Sequence, residues 1–284
     1  MPRQHEAEYP GAERRRREFI VDLQLKTKIA LVSGSTAGIG FAIGSGLAGE
    51  GATVIINGRT EKRVREAIAK IHQRHPQAKL EGCAGDLSTT DTVQRIVRRF
   101  DHVDILINNL GVYEAKPFEA ISDQEWREII ETNFMSGVRL SRHYLPEMTA
   151  RNWGRIIFIS SESAINIPVE MIHYGVTKTM QLALARGLAE TVAGTGVTIN
   201  SVLAGPTRTE GVEKFVDQIV QSRGIDQWIA EKEFFATVRP SSLLKRFAST
   251  DEVASLVIFM ASPLSSATNG AALRVDGGVI RSIL

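Results

Sequence analysis

Two hydrophobic periods alternate along this chain. Short apolar runs that end in glycine or small polar residues are followed by segments with helical spacing. "KIALVSG" reads as a first strand, and "FAIGSGLAGEG" then has helical spacing and closes at Gly51. "TVIING" is a second strand, and "EKRVREAIAKIHQRHP" is an amphipathic helix stopped by Pro76. "KLEGCAGDL" is strand-like, and "STTDTVQRIVRRF" is a helix opened by Ser and Thr caps. "VDILINN" and "GRIIFISS" are nearly continuous apolar runs, as in strands buried on both faces. Between them "SDQEWREIIETNFMSGVRLSRHYLPEM" reads as one long helix. A helix from Tyr174, the strand "GVTINSVLAG", the helix "DEVASLVIFMAS" and the strand "AALRVDGG" complete the pattern.

About seven strands separated mostly by helices predict one α/β domain over residues 25–284, a doubly wound and mostly parallel sheet with helices on both faces. In such sheets ligands bind at the C-terminal ends of the strands. Here those ends are "SGSTAGIG", "NGR", "GDL", "NNLG", "ISSES" and "LAGPT", where glycines and small polar residues gather. Residues 1–24 form a polar, basic extension with arginines from Arg14 to Arg17; it reads as a solvated tail or short exposed helix that does not define the fold.

Composition narrows the function classes. With 284 residues, 43% hydrophobic and 23% charged, the chain can build a core without disulfide staples. Its single cysteine, Cys83, allows no disulfide within the chain and suits a reducing compartment, so a cytoplasmic location is expected. A net charge of +2 implies no nucleic-acid partner. The N-terminus lacks the apolar core of a secretory signal. No apolar run approaches the roughly 18 residues of a membrane span, so no membrane is expected. No metal site is read from the sequence.

Candidate chemistry starts at "HYGVTK". Tyr174 and Lys178 are four residues apart, so both leave one face of a helix. A cation beside a tyrosine favours the phenolate and tunes a proton donor. The same pair would also be ordinary on a wet helix. "SGSTAGIG" joins the first strand to the first helix. Gly34 permits the tight turn, Gly38 lets the backbone approach a diphosphate, and Gly40 allows close packing. Ser35, Thr36 and Ile39 lie within the same turn. No G-K-[ST] follows, which argues against a P-loop.

The spaced glycines, "NNLG", and "YGVTK" preceded by "ISS" together resemble the short-chain dehydrogenase/reductase family, from about Leu25 onward. The resemblance implies a Rossmann-type fold and a Ser-Tyr-Lys-Asn tetrad, matched here by Ser161, Tyr174, Lys178 and Asn133. Ser161 would bind the substrate oxygen, Tyr174 would exchange a proton with it, and Lys178 would lower the tyrosine pKa and bind the nicotinamide ribose. Asn133 would complete a proton relay. Asn109 and Gly111 would flank the adenosine, with Leu110 in place of the usual alanine. Asp86, followed by Leu87, would meet the adenine edge. At the end of the second strand an acid usually selects NAD; here Gly58 stands there, after Asn57 and before Arg59 and Thr60. A guanidinium can bind a 2′-phosphate bidentately, so NADP(H) is preferred, with NAD(H) possible. Gly205, Thr207 and Thr209 would border the nicotinamide amide.

Residues 206–245 are expected to form a substrate lid with an apolar face of Phe215, Ile219, Trp228, Phe234 and Phe235. Glu162, Glu170 and His173 either point away from the site or line it, and in the second case they favour a polar or cationic substrate. The expected activity is interconversion of a small-molecule carbonyl and alcohol, and the resemblance implies a homotetramer. A 3-oxoacyl group on a carrier protein is an alternative substrate. Against it, Asn152 and Thr195 stand where basic residues are expected, although Arg151 and Arg155 are near. A non-catalytic NADP-sensing regulator is the remaining alternative, disfavoured because Tyr174 and Lys178 are both kept.

Overall fold

A computed structural model of the chain describes residues 21–283. The arginine run of the N-terminal extension lies outside the described residues, as does the side chain of Phe215. Seven parallel strands form one sheet in the order β3-β2-β1-β4-β5-β6-β7. They are β1 (Ile29–Val32), β2 (Thr53–Gly58), β3 (Lys79–Ala84), β4 (Ile105–Asn108), β5 (Gly154–Ser161), β6 (Val197–Ala204) and β7 (Ala272–Val275). The doubly wound sheet read from the sequence is therefore present.

The central strands β4, β5 and β6 are buried along their whole length. The edge strands β3 and β7 alternate between more and less exposed positions. This is why the inner strands read as continuous apolar runs and the outer ones as mixed. Helices α1 (Gly38–Gly49), α2 (Glu61–Arg74) and α9 (Thr250–Ala261) cover one face, where Ile43, Leu47, Val64, Ile71, Val253 and Val257 meet the sheet. Helices α3 (Thr90–Arg99), α5 (Ser136–Ala150) and α6 (Ile172–Thr191) cover the other through Val93, Ile96, Leu140, Tyr144 and Ala185. Among the described residues, no helix is long and apolar enough to cross a membrane.

Two departures from the sequence reading bear on function. The long helix is α4 (Asp123–Ile130) and α5 joined by a π-helical turn, Glu131–Met135. One extra residue in a turn leaves no trace in hydrophobic spacing, and such turns recur at functional sites. The segment after β6 is two helices, α7 (Glu210–Arg223) and α8 (Gln227–Thr237), with a small core of their own. Val216, Ala230, Phe235 and Phe247 fill that core, with Ile219 and Phe234 partly buried beside it. Trp228, expected on the apolar face, is 63% exposed.

β1 pairs with β2 on one side and β4 on the other, so the chain leaves it in opposite directions. The crevice at that switch point is where doubly wound sheets bind ligands. Two parts of the chain close it from below. The Asn109 amide donates to the carbonyls of Ser33 (2.9 Å) and Gly34 (3.1 Å), tying the end of β4 to the turn after β1.

Candidate active site

The turn after β1 needs its glycines. Gly34 and Gly38 have φ of +62° and +57°, a region that disfavours side chains. A Cβ at Gly40 would collide with the Asn109 amide and lie 2.6 Å from the Gly34 carbonyl. Helix α1 starts at Gly38 with Ala37 at its N-cap, which offers no side-chain cap, and with no acidic residue in its first turn. Its leading N–H groups are thus arranged to accept an anion.

Several residues expected to touch a cofactor also hold this turn together. The Gly34 N–H donates to Asn57 Oδ1 at 3.0 Å, and the Asn57 amide donates to the Cys83 carbonyl at 3.0 Å. Ser35 is fully buried; its hydroxyl donates to the Val32 carbonyl at 2.7 Å and accepts from the Asn57 N–H at 2.9 Å. Leu87 is buried in the core, and Ile39 packs against the other face. The side chains of Ser35, Asn57, Leu87 and Asn109 therefore shape the crevice from within. Asp86, Arg59 and Thr60 are exposed at its rim. Thr60 also caps α2, its hydroxyl accepting from the Arg63 N–H at 3.4 Å. Gly58 has a packing reason, since a Cβ there would strike Thr36 Cγ2.

On the far side of the crevice, β5 ends at Ser161 and α6 presents Tyr174 and Lys178. The Ser161 hydroxyl lies near enough to the Tyr174 phenol to lower its pKa. Ser161 also caps the short turn that follows, accepting from the Ser163 N–H at 3.1 Å. The Ser160 hydroxyl donates to the Lys178 carbonyl at 2.9 Å, which fixes α6 against β5. Lys178 Nζ lies 5.6 Å from the Tyr174 ring centroid and donates to the Ile159 carbonyl at 2.9 Å.

The electrostatics differ from the sequence expectation that Lys178 sets the tyrosine pKa. Burial pushes the Tyr174 phenol up to about 12, against the nearby Ser161 hydroxyl, which lowers it. Burial likewise brings the Lys178 ammonium down to about 8. Desolvation penalises the charged form of each group and is the largest cause of both shifts.

Asn133 sits in the π-helical turn and is buried. Its Oδ1 accepts from the Val112 N–H at 2.8 Å, and its amide donates to the Val112 carbonyl at 2.9 Å and to the Thr177 hydroxyl at 3.1 Å. Gln181 bridges it to the lysine, donating to the Asn133 carbonyl at 2.6 Å and accepting from Lys178 Nζ at 3.5 Å. Gln181 escaped the sequence reading, although a lone amide one turn after Lys178 in "MQLALARGLA" was a legible signal. A Cβ at Gly111 would lie 3.3 Å from Lys178 Nζ and 3.6 Å from Asn133 Oδ1, so only glycine leaves that approach open.

Gly205 lies flat against β7, where a Cβ would be 2.6 Å from Asp276 Cα. Thr207 is buried, its hydroxyl donating to the Gly205 carbonyl at 2.9 Å. Thr209 caps α7 and lies near enough to Tyr113 to lower its pKa, and a Cβ on Gly38 would lie 3.5 Å from its methyl. Of the two threonines, Thr209 therefore faces the glycine turn. Tyr113 meets Tyr174 edge-on with ring centroids 6.0 Å apart. His173 is buried edge-on against Trp126, away from the crevice. Glu162 and Glu170, by contrast, line a cleft beside Ser161 together with Arg239, a residue just after α8 that the sequence did not single out.

A family model described as short chain dehydrogenase matches residues 28–219. The chain is a member of the short-chain dehydrogenase family. Its relatives agree. It is 48% identical to the uncharacterized oxidoreductase YvaG of Bacillus subtilis, over 92% of this chain and 99% of that one. It is 30% identical to the 3-oxoacyl-[acyl-carrier-protein] reductase FabG of Aquifex aeolicus, over 91% of this chain and all of the other. The L-sorbose reductase of Gluconobacter frateurii, solved with NADPH and L-sorbose, superposes with a TM-score of 0.87 at 29% identity, covering 93% of this chain and 100% of that one. This short-chain dehydrogenase is thus an oxidoreductase of the same fold.

Proposed function

We propose that this oxidoreductase uses NADP(H) to interconvert a carbonyl and an alcohol, with Tyr174 as the proton donor and acceptor. The observation that carries the reading is the grouping of Ser161, Tyr174 and Lys178, with Lys178 Nζ 5.6 Å from the Tyr174 ring, across the crevice from an uncapped glycine-turn helix. When bound, the cofactor supplies or accepts the hydride. The uncapped start of α1 would hold its diphosphate, Arg59 and Thr60 its 2′-phosphate, and Lys178 and Asn133 its nicotinamide ribose.

In reduction the Ser161 hydroxyl donates to the substrate oxygen and orients it. The Tyr174 hydroxyl gives its proton to that oxygen, which becomes the alcohol. The phenolate left behind is stabilised by the Lys178 ammonium. In oxidation the same phenolate takes the alcohol proton. Neighbours solved with NADPH or NADP support the cofactor choice. The absence of an acid at Gly58 supports it independently.

A carrier-protein thioester is the weaker substrate reading. Arg155 is 1% exposed within β5, and Arg151 is paired with Glu147 at 2.6 Å, so neither offers a free basic surface. The homotetramer implied by the resemblance is our working assembly, to be checked by light scattering.

The test is oxidation of NADPH and NADH by the full chain against ketones, diketones, quinones and acyl thioesters, followed by absorbance. Turnover of a carbonyl with NADPH, and slower turnover with NADH, is the expected result. NADPH binding without turnover in either direction would overturn it in favour of a sensor.

A further inference from the structure

The cleft beside Ser161 has a charge pattern that discriminates among carbonyl substrates. It has a volume of about 630 Å³, within the range of small-ligand sites, and lies between residues 166–170 and residues 237–241. Its polar lining centres on one guanidinium and two carboxylates. Arg239 Nε donates to Glu162 Oε1 at 2.9 Å, and Arg239 Nη1 lies 3.7 Å from Glu170 Oε1. Glu162 directly follows Ser161 in the chain and is 3% exposed. Its second oxygen, Oε2, is buried without a hydrogen-bond partner. Both Glu162 and Arg239 are near enough to Tyr174 to act on its phenol, the first raising its pKa and the second lowering it.

A buried carboxylate oxygen with no donor is costly, so Glu162 Oε2 calls for a donor that the protein itself does not supply. The charge count decides which ligand. With both carboxylates ionised the trio is net negative. If burial leaves Glu162 protonated, it is neutral. In neither state is there surplus positive charge for a carboxylate or phosphate on the substrate. The guanidinium already faces two acids, and with Glu162 ionised beside it the unfilled capacity is for hydroxyl donors.

Resting on the reductase reading above, we propose that Glu162 and Arg239 are specificity-determining residues that select a neutral, polyhydroxylated carbonyl compound, such as an open-chain ketose or its polyol, over carboxylated analogues. Glu162 Oε2 accepts from a substrate hydroxyl one residue away from the Ser161 hydroxyl that holds the carbonyl. Arg239 keeps that carboxylate aimed, and Glu170 adds a second acceptor at the rim.

The experiment compares L-sorbose, its keto-acid analogue 5-ketogluconate, and 2,3-butanedione, which has neither hydroxyls nor charge, each with NADPH and the full chain. The expected kcat/KM for sorbose exceeds that for the keto acid about tenfold or more, the worth of one charge-assisted hydrogen bond and an avoided repulsion. Glu162→Gln should raise the KM for sorbose about tenfold, move kcat less, and narrow the preference over the keto acid. The NADPH dissociation constant, read by fluorescence, should stay within about twofold because the cleft lies apart from the glycine turn. Equal or better turnover of the keto acid overturns the inference, as does an unchanged sorbose KM in the variant. If Glu162→Gln does not fold, Glu170→Gln at its exposed position carries the test. It should lower the sorbose preference about threefold, and an unchanged ratio overturns the charge argument. Reduction of butanedione but of neither sugar overturns this inference and leaves the reductase reading standing. Reduction of none, with NADPH bound, overturns both.

Discussion

Tyr174 and Lys178 are one helical turn apart, and burial acts on them in opposite senses. The phenol is pushed up to about 12 and the ammonium brought down to about 8, so both neutral forms are favoured. A protonated phenol is what a carbonyl reductase needs at the start of its cycle. Tyr174→Phe should keep NADPH affinity and lose about a hundredfold or more of the turnover rate, in steady-state assays with butanedione. A variant retaining a tenth of the rate would remove Tyr174 from the proton step. Arg59→Ala should weaken NADPH about tenfold or more while NADH changes little, since only NADPH offers a phosphate to a guanidinium. Equal losses for both in a fluorescence titration would mean that Arg59 does not read the 2′-phosphate. Both residues were visible in the sequence because each stands next to a strand end or in a short helical motif. Arg239 was not, because its partner Glu162 is 77 residues away and only the folded chain brings them together.

At the scale of elements, the site is built from strand ends and from what fastens them. The turn after β1 is closed from below by side chains of β2 and by Asn109 at the end of β4, and it leaves no room at Gly40. Gly40→Ala must displace the Asn109 amide or the Gly34 carbonyl, so we expect about 1–3 kcal/mol lost in urea unfolding. NADPH affinity should fall with it. Unchanged stability would mean that the turn tolerates a methyl group and that packing does not explain this glycine. The strands and most helices were legible because burial on both faces, or on one, writes a period into the sequence. The π-helical turn was not, because Asn133 reads the same in any helix. Nor could residue type reveal that Asn57 and Ser35 face inward, since the alternation of a doubly buried strand hides its polar exceptions.

For the whole molecule, Lys178 sets a pH signature. Its folded pKa is depressed from 10.5 to about 8, so at this site the unfolded chain binds more protons between those values and the lysine's own contribution to stability rises with pH across that window. Below about pH 8 the buried ammonium carries its full penalty, of the order of 3 kcal/mol from the size of the shift. Lys178→Met should therefore melt higher than the parent at pH 7, lose that advantage between about pH 8 and pH 10.5, and be inactive. Parallel melting curves at all pH values would show that the lysine is not desolvated in the free protein.

The close approach of Thr36 to Gly58 constrains how an acid could arise at the end of β2 over evolutionary time. Placing an acid at the end of β2 would give a partner to a ribose hydroxyl, but its Cβ has no space while Thr36 is present. A single exchange at Gly58 should damage the turn before it improves NADH binding. The route to an acid there therefore has an order: Thr36 must make room first, and a lineage that tries the acid first meets a barrier of packing.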